Sequence, residues 1–235
     1  MSSLQEYVDT SKKIVFFGGA GVSTESGIKD FRSQDGLYHQ KWKYPPEEIL
    51  SGDFFYADTE AFYEFYRAKM LAPWAKPNAA HRKLAEWEQQ GKLTAVVTQN
   101  IDGLHQMAGS KAVYELHGSV HRNYCLKCGK FHGVEAILNS TGVPKCACGG
   151  VIKPDVVLYG EGLDGNVLEN AVKAIADADL LIIAGTSMTV YPAAGLVRYF
   201  RGDRLVVINK DATSADSLAS LCIHDAVGKV LESLK

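Results

Sequence analysis

The sequence predicts an α/β fold: a doubly wound parallel sheet with a smaller unit built from two insertions. Three observations predict it. Short apolar runs recur along the chain without polar alternation, as strands covered on both faces do. Amphipathic stretches of helical period lie between those runs. Two segments, residues 31–75 and 122–152, interrupt the rhythm, and neither is expected to form a large core of its own.

Taken in order, residues 14–17 (Ile-Val-Phe-Phe) form the first predicted strand. The aromatic-rich segment 31–75 follows, with Tyr44-Pro45-Pro46 and a helical run over 59–70. Residues 79–91 are predicted helical, because Ala80, Leu84 and Trp87 fall on one face at spacings of four and three. Residues 95–97 (Ala-Val-Val) form the next strand, and residues 113–116 lead to a histidine at a further strand end. Residues 156–158 (Val-Val-Leu) are read as another buried strand. Residues 164–178 keep Leu168, Val172 and Ile175 on one helical face. Residues 180–184 and 205–208 are the last predicted strands. The expected division is a sheet domain of residues 1–30, 76–121 and 153–235. Residues 31–75 and 122–152 form the small domain, with a cleft between the two.

Composition narrows the function. The 235 residues are 46% apolar and 22% charged, as in ordinary globular proteins. Lys plus Arg total 25 against 27 Asp plus Glu, a formal net charge of −2, which excludes an overall basic surface made for nucleic acid. No apolar run reaches the roughly 18 residues that span a bilayer. The first residues, Met1 to Lys13, lack the apolar core of a signal peptide, so the expected location is the cytoplasm.

Candidate site residues collect at strand ends. The first strand runs into Gly18-Gly19-Ala20-Gly21-Val22-Ser23-Thr24-Glu25-Ser26-Gly27, where a nucleotide-binding α/β fold puts its phosphate loop. The loop is irregular. Thr24 stands where GxGxxG would have glycine, and the acidic residue expected about twenty positions on has no counterpart. Asp30 and Arg32 flank Phe31 just beyond, either a plain surface pair or, for Arg32, a bidentate phosphate ligand. The second strand ends in Gln99-Asn100-Ile101-Asp102; helix capping accounts for Asn100 or Asp102 but not for all of these polar residues. His117 precedes Gly118 at the next strand end, and its side chain suits a general base near neutral pH. Gly185-Thr186-Ser187 and Asn209-Lys210-Asp211 close two more strands on the same edge. Five polar strand ends on one edge favour a nucleotide site over ordinary loop chemistry. The segment Val157-Leu158-Tyr159-Gly160 is expected to offer a strand edge to an extended peptide.

Four of five cysteines are paired in sequence: Cys125-x-x-Cys128, 17 residues, then Cys146-x-Cys148. This spacing matches a zinc ribbon with its second pair one residue tight. Four thiolates fill a tetrahedral site and leave no position for an activated water, so the metal is expected to be structural. Cys222 lies in an apolar run and reads as a small core residue.

Together these motifs resemble the sirtuins, NAD-dependent protein deacylases, most closely the compact bacterial members. The resemblance runs from about residue 12 to the end. It rests on Gly19-Ala20-Gly21-Val22-Ser23, residues 27–33, residues 98–102, His117-Gly118, the four cysteines, Gly185-Thr186-Ser187 and Val207-Ile208-Asn209. It implies a Rossmann-like NAD domain carrying a helical and zinc-ribbon domain. Ala20, Gly21, Thr24, Asp30, Phe31 and Arg32 would line the NAD site. Gln99, Asn100, Ile101 and Asp102 would hold the nicotinamide ribose and carboxamide, with Asn100 also catalytic. Gly185, Thr186, Ser187 and Asn209 would bind the adenosine half, with Asp225 and Ala226 near the adenine. His117 would be the general base and would also contact the NAD. The implied reaction moves the acetyl group of acetyl-lysine to ADP-ribose and releases nicotinamide. The implied partners are acetyl-lysine proteins, with no membrane or nucleic acid, and the chain is expected to act as a monomer.

Two departures stand out. Lys29 replaces the family's usual proline. Members that prefer succinyl or malonyl groups carry Tyr and Arg three apart in the inserted helix, whereas Glu64 stands three before Arg67 and Tyr63 and Tyr66 fall at other offsets. The expected substrate is therefore acetyl-lysine. The alternatives are ADP-ribosyl transfer to protein, removal of longer acyl groups, or a non-catalytic acyl-lysine or NAD sensor. A zinc-ribbon nucleic-acid binder is disfavoured by the charge.

Overall fold

The computed structural model describes residues 3–31 and 36–235, and only the backbone of His39. The expectation for Arg32 lies outside the described residues. The strands are β1 (Ile14–Gly18), β2 (Leu93–Thr98), β3 (Val113–Glu115), β4 (Gly118–Cys125), β5 (Phe131–His132), β6 (Ile152–Val156), β7 (Leu180–Ala184), β8 (Leu205–Ile208) and β9 (Leu221–Ile223). The helices are α1 (Leu4–Thr10), α2 (Pro46–Ile49), α3 (Gly52–Ala57), α4 (Thr59–Lys69), α5 (Ala79–Gln89), α6 (Leu104–Ala108), α7 (Glu135–Leu138), α8 (Gly165–Asp177) and α9 (Val227–Glu232).

Six strands form a parallel sheet in the order β3-β2-β1-β7-β8-β9. Every residue of β1, β7 and β8 is buried. The continuous apolar runs conceal a period of two. Ile14 and Phe16 join Val96, Ile182 and Val206 in a core under α1, α5 and α9. Val15 and Phe17 join Val97, Ile183 and Val207 in a second core under α8 and the turn of 3-10 helix at Ala193–Tyr199. The sheet is thus covered on both faces, as its composition requires. Ala80, Leu84 and Trp87 of α5 and Ile175 of α8 are buried as their spacing predicts, and Leu168 and Val172 pack half-buried beside them.

The chain builds β1, β2 and β3 outward in one direction. It then returns to the other side of β1 for β7, β8 and β9. The strand order therefore reverses between β1 and β7, and a crevice opens at their carboxyl ends.

Two readings change. Residues 156–158 do not form a strand of the parallel sheet. β6 ends at Val156 and pairs antiparallel with β4, in a separate sheet of order β5-β4-β6. Beyond Val156 the backbone turns to other partners: Val157 N–H donates to His117 O (3.0 Å) and Leu158 N–H to Glu161 Oε2 (2.9 Å). The run is apolar because Val156 and Leu158 enter a third core, not because it lies inside the large sheet. The second change is β9, an edge strand with no strand predicted for it. Its three residues are only half-buried, Cys222 among them, so the segment lacks the fully apolar signature of a central strand.

The third core joins the two inserted segments. Phe55, Phe62, Tyr63, Phe65 and Tyr66 pack with Ile137, Cys125, Cys146 and Ile152. Asp58 caps α4 by accepting from Ala61 N–H (3.0 Å). Arg67 clasps α7 and the segment after it: Nε donates to Ile137 O (3.0 Å), and Nη2 to Ser140 Oγ and Gly142 O (2.7 Å each). Among the described residues no helix is long and apolar enough to cross a membrane.

Candidate active site

The crevice at the strand ends widens into a cleft of about 1400 Å³ between the sheet and the inserted segments. Its floor is made by two glycine turns in backbone contact. Gly21 N–H donates to Gly185 O at 2.8 Å. A Cβ on Gly185, whose φ is +58°, would stand 2.4 Å from the nitrogen of Val22, and one on Gly21 would stand 2.8 Å from Gly185 Cα. Only glycine allows this approach. Beyond Gly19 the chain makes short 3-10 turns at Ala20–Val22 and Thr24–Ser26. The N–H groups of Ala20 and Thr24, at the starts of these turns, meet no backbone acceptor among the described residues. Donors left open at the head of such a turn suit a pyrophosphate. Asn78, the cap of α5, holds the loop from behind through Val22 O (2.7 Å) and Ser26 Oγ (3.0 Å). Its own N–H donates to His81 Nδ1, and burial pushes His81 down to about 4, so this imidazole stays a neutral acceptor.

The polar residues after β2 form one hydrogen-bonded chain. Asn100 Nδ2 donates to Ser23 Oγ (3.1 Å), and Ser23 Oγ donates to Asp102 Oδ2 (2.6 Å). The capping role holds for Asp102, whose Oδ1 accepts from Leu104 N–H (2.9 Å); its second oxygen serves the site. This chain orients the Asn100 amide, with its nitrogen spent on Ser23. Gln99 Nε2 donates to Thr186 Oγ1 (2.9 Å), tying the end of β2 to the end of β7.

His117 sits on the turn between β3 and β4. Its Nδ1 lies 2.9 Å from Gln99 O. A carbonyl only accepts, so Nδ1 carries the proton and Nε2 keeps its lone pair. Burial lowers the pKa of His117 below the usual 6.5, opposed by the bond to Gln99, so the imidazole is neutral at pH 7. Gly118 makes the turn possible. Its φ is +73°, and a Cβ there would fall 1.9 Å from Asp155 O.

Ala20, Gly21, Thr24, Asp30 and Phe31 line this cleft with the segment Gln99 to Asp102. His117, Gly185, Thr186, Ser187, Asn209, Asp225 and Ala226 line it too, and so does the segment Val157 to Gly160. Every predicted non-metal site residue that the structure describes is therefore in one place. Ser23 is the central residue the sequence reading passed over; it is 1% exposed. Its signal was present, a hydroxyl at the end of the glycine loop, but its partners lie 77 and 79 residues away. The inner wall is apolar, with Leu50, Met70, Leu71, Val120, Leu138 and Leu158. Arg67 does not line the cleft.

The four cysteines stand apart from the cleft. Their sulfur atoms all lie within 4.8 Å of one another. Three of the pairs are at 3.4, 3.5 and 3.8 Å. A tetrahedral zinc with Zn–S near 2.3 Å needs sulfur atoms about 3.8 Å apart, so the set fits that ion. Gly129 and Gly149, both at positive φ, make the turns after the two pairs.

A model of the Sir2 family matches residues 19–192. The chain belongs to the Sir2 family. It is 61% identical to the NAD-dependent protein deacetylase of Clostridium acetobutylicum, over 100% of this chain and 97% of that protein. The Clostridium perfringens protein of the same name is 59% identical, over 98% and 96%. Among solved structures, a Sir2 bound to a p53 peptide and NAD+ superposes with a TM-score of 0.84 at 42% identity, covering 96% of this chain and 93% of that one. A Sir2 bound to an acetylated peptide gives 0.84 at 40% identity, with the same coverage. The family's NAD fits the groups described above: open N–H donors at the glycine loop, the oriented amide oxygen of Asn100 as an acceptor, and hydroxyls toward β7.

Proposed function

We propose that this Sir2 protein is an NAD-dependent protein-lysine deacetylase that moves the acetyl group of acetyl-lysine to ADP-ribose and releases nicotinamide. The observation that carries the reading is His117. A neutral imidazole with a free Nε2 lines the same cleft as an irregular glycine loop and an open strand edge. When bound, NAD supplies the electrophilic ribose carbon and the leaving nicotinamide.

The residues divide the work. Ala20 and Thr24 present N–H groups to the pyrophosphate, Gly21 lets the loop close against Gly185, and Asp30, Phe31 and Arg32 lie beyond them. Gln99, Asn100, Ile101 and Asp102 hold the nicotinamide end, and Ser23 orients Asn100 and Asp102. Gly185, Thr186, Ser187, Asn209, Asp225 and Ala226 receive the adenosine end. His117 Nε2 takes a proton from a ribose hydroxyl. Val157 to Gly160 accept the substrate peptide as an added strand; Val157 C=O and Gly160 N–H have no backbone partner among the described residues. Cys125, Cys128, Cys146 and Cys148 hold one structural zinc. Arg67 is occupied by carbonyls, which leaves an acidic acyl group without that cation and favours acetyl. In this reading the two domains follow the boundaries given above, except that β4 and β6, which pair in the small sheet, carry the second insertion from Gly118 to Val156. In this reading the protein works in the cytoplasm as a monomer, without nucleic acid; the metal-type cysteines support the compartment and the near-neutral charge supports the absence of nucleic acid.

The test is deacetylation of an acetyl-lysine peptide with and without NAD. Deacetylation is expected only with NAD; acetyl release without it, or none with it, contradicts the reading. Two further results follow. Protonated His117 is not a base, so kcat rises with pH through a value below 6.5 and levels off above it. A pH–rate profile with its acid limb above 6.5 would oppose this. Ser23→Ala takes from the Asn100 amide its acceptor and from Asp102 one of its two donors. The expected loss is roughly tenfold to a hundredfold in kcat/KM for NAD, with the melting temperature lowered by only several degrees, so that the variant stays folded in the assay. Unchanged kinetics would remove Ser23 from the site.

A further inference from the structure

A side-chain hydrogen bond joins the cofactor side and the peptide side of the cleft. The hydroxyls of Tyr38 and Tyr159 lie 2.7 Å apart. Tyr38 follows the glycine loop and its extension. Its N–H donates to Phe31 O and Leu37 N–H donates to Asp30 O, both at 2.9 Å, so residues 37 and 38 are paired with residues 30 and 31. The Tyr38 ring also stands edge-on to Phe31, with centroids 5.8 Å apart. Asp30 and Phe31 both line the cofactor part of the cleft.

Tyr159 sits in the segment with the open strand edge. Its backbone is fixed on the opposite side: its N–H donates to Leu50 O (2.9 Å) and its carbonyl accepts from Gly52 N–H (3.0 Å). The phenol meets Tyr38, and 37% of Tyr159 remains exposed. A half-exposed tyrosine hydroxyl normally bonds to water. Here it bridges two segments 121 residues apart.

We propose that the Tyr38–Tyr159 hydroxyl bridge couples the two ligands, with Tyr159 a positioning residue through which a bound acyl-lysine peptide steadies the Asp30–Phe31 wall of the NAD site. The inference rests on the peptide and NAD placements proposed above. A peptide paired along Val157 to Gly160 restrains Tyr159. The restrained hydroxyl restrains Tyr38, and through two backbone bonds and a ring contact it restrains Asp30 and Phe31. Each ligand then finds the other's wall already ordered, which is positive coupling and is reciprocal.

The test uses ADP-ribose as a probe that does not react. Its affinity is measured by calorimetry with and without an acetyl-lysine peptide, on the wild-type protein, Tyr159→Phe, Tyr38→Phe and the double variant. These substitutions remove a hydroxyl and keep the ring, so melting temperatures should stay close to wild type. In the wild type the peptide is expected to tighten ADP-ribose binding. Each single variant should shrink that factor by about fivefold, the effect of one hydrogen bond, and the double variant should shrink it no further. A merely structural role would alter stability and leave the coupling factor alone. A wild type that binds both ligands without coupling, or variants that keep the full factor, would overturn the bridge alone. A wild type that binds neither ligand would remove the reading on which it rests.

Discussion

His117→Ala is expected to lower deacetylation by about 10²–10⁴-fold, the usual contribution of a positioned general base. NAD binding should survive, because the glycine turns, Asn100 and Ser23 do not depend on the imidazole. The bond from Nδ1 to Gln99 O would be lost, but Gln99 keeps its own link to Thr186. The effect should therefore appear in kcat, with KM for NAD changed much less. His117→Gln is a useful companion, since it retains a polar side chain without a titrating nitrogen. Both variants should lose the acid limb of the pH profile with the activity. A variant that keeps near-full activity would place the base elsewhere.

Removing the metal is expected to have the largest effect on stability. Structural zinc contributes an apparent 10–16 kcal/mol in small zinc-binding peptides, roughly the scale available here. Cys125 and Cys146 are 2% and 5% exposed and belong to the third core, so loss of the ion opens that core as well as the ribbon. The third core includes Val120, Leu50 and Leu158, which also wall the cleft. A strong chelator, or Cys146→Ser, should lower the melting temperature by at least about 10 °C, as a loss near 5 kcal/mol does in a chain of this size. Deacetylation should disappear with the ion and return when zinc is restored. The two large-sheet cores should hold, so circular dichroism should retain much of its helical signal. Metal analysis should find one zinc per chain. A chelated protein with unchanged melting and full activity would contradict a structural metal.

The parts legible in the sequence were those whose cause is local. The runs at 14–17, 180–184 and 205–208 are apolar because the sheet is covered on both faces, and period and length alone identify them. The cysteine spacing identifies a metal set because two close pairs need little more than two turns. The glycine loop is visible because backbone approach excludes side chains. What the sequence hid depends on distant partners. Val156 and Leu158 are as apolar as a sheet strand, yet they serve the third core, and only the pairing of β6 with β4 reveals it. β9 was hidden because an edge strand needs only half-buried residues. Ser23 looked like one more small residue in a turn, and Asn100 and Asp102 make it the hub of the site. The Tyr38–Tyr159 bridge has no signature in sequence at all.

The central claim is that acetyl transfer and nicotinamide release are one coupled event. The direct measurement is mass spectrometry of both products after a limited reaction of acetyl-lysine peptide with NAD. The account predicts a peptide lighter by one acetyl group, an ADP-ribose heavier by the same group, and nicotinamide equal in amount to either. A peptide or protein that gains ADP-ribose, or free acetate formed with no acetylated ADP-ribose, would contradict it.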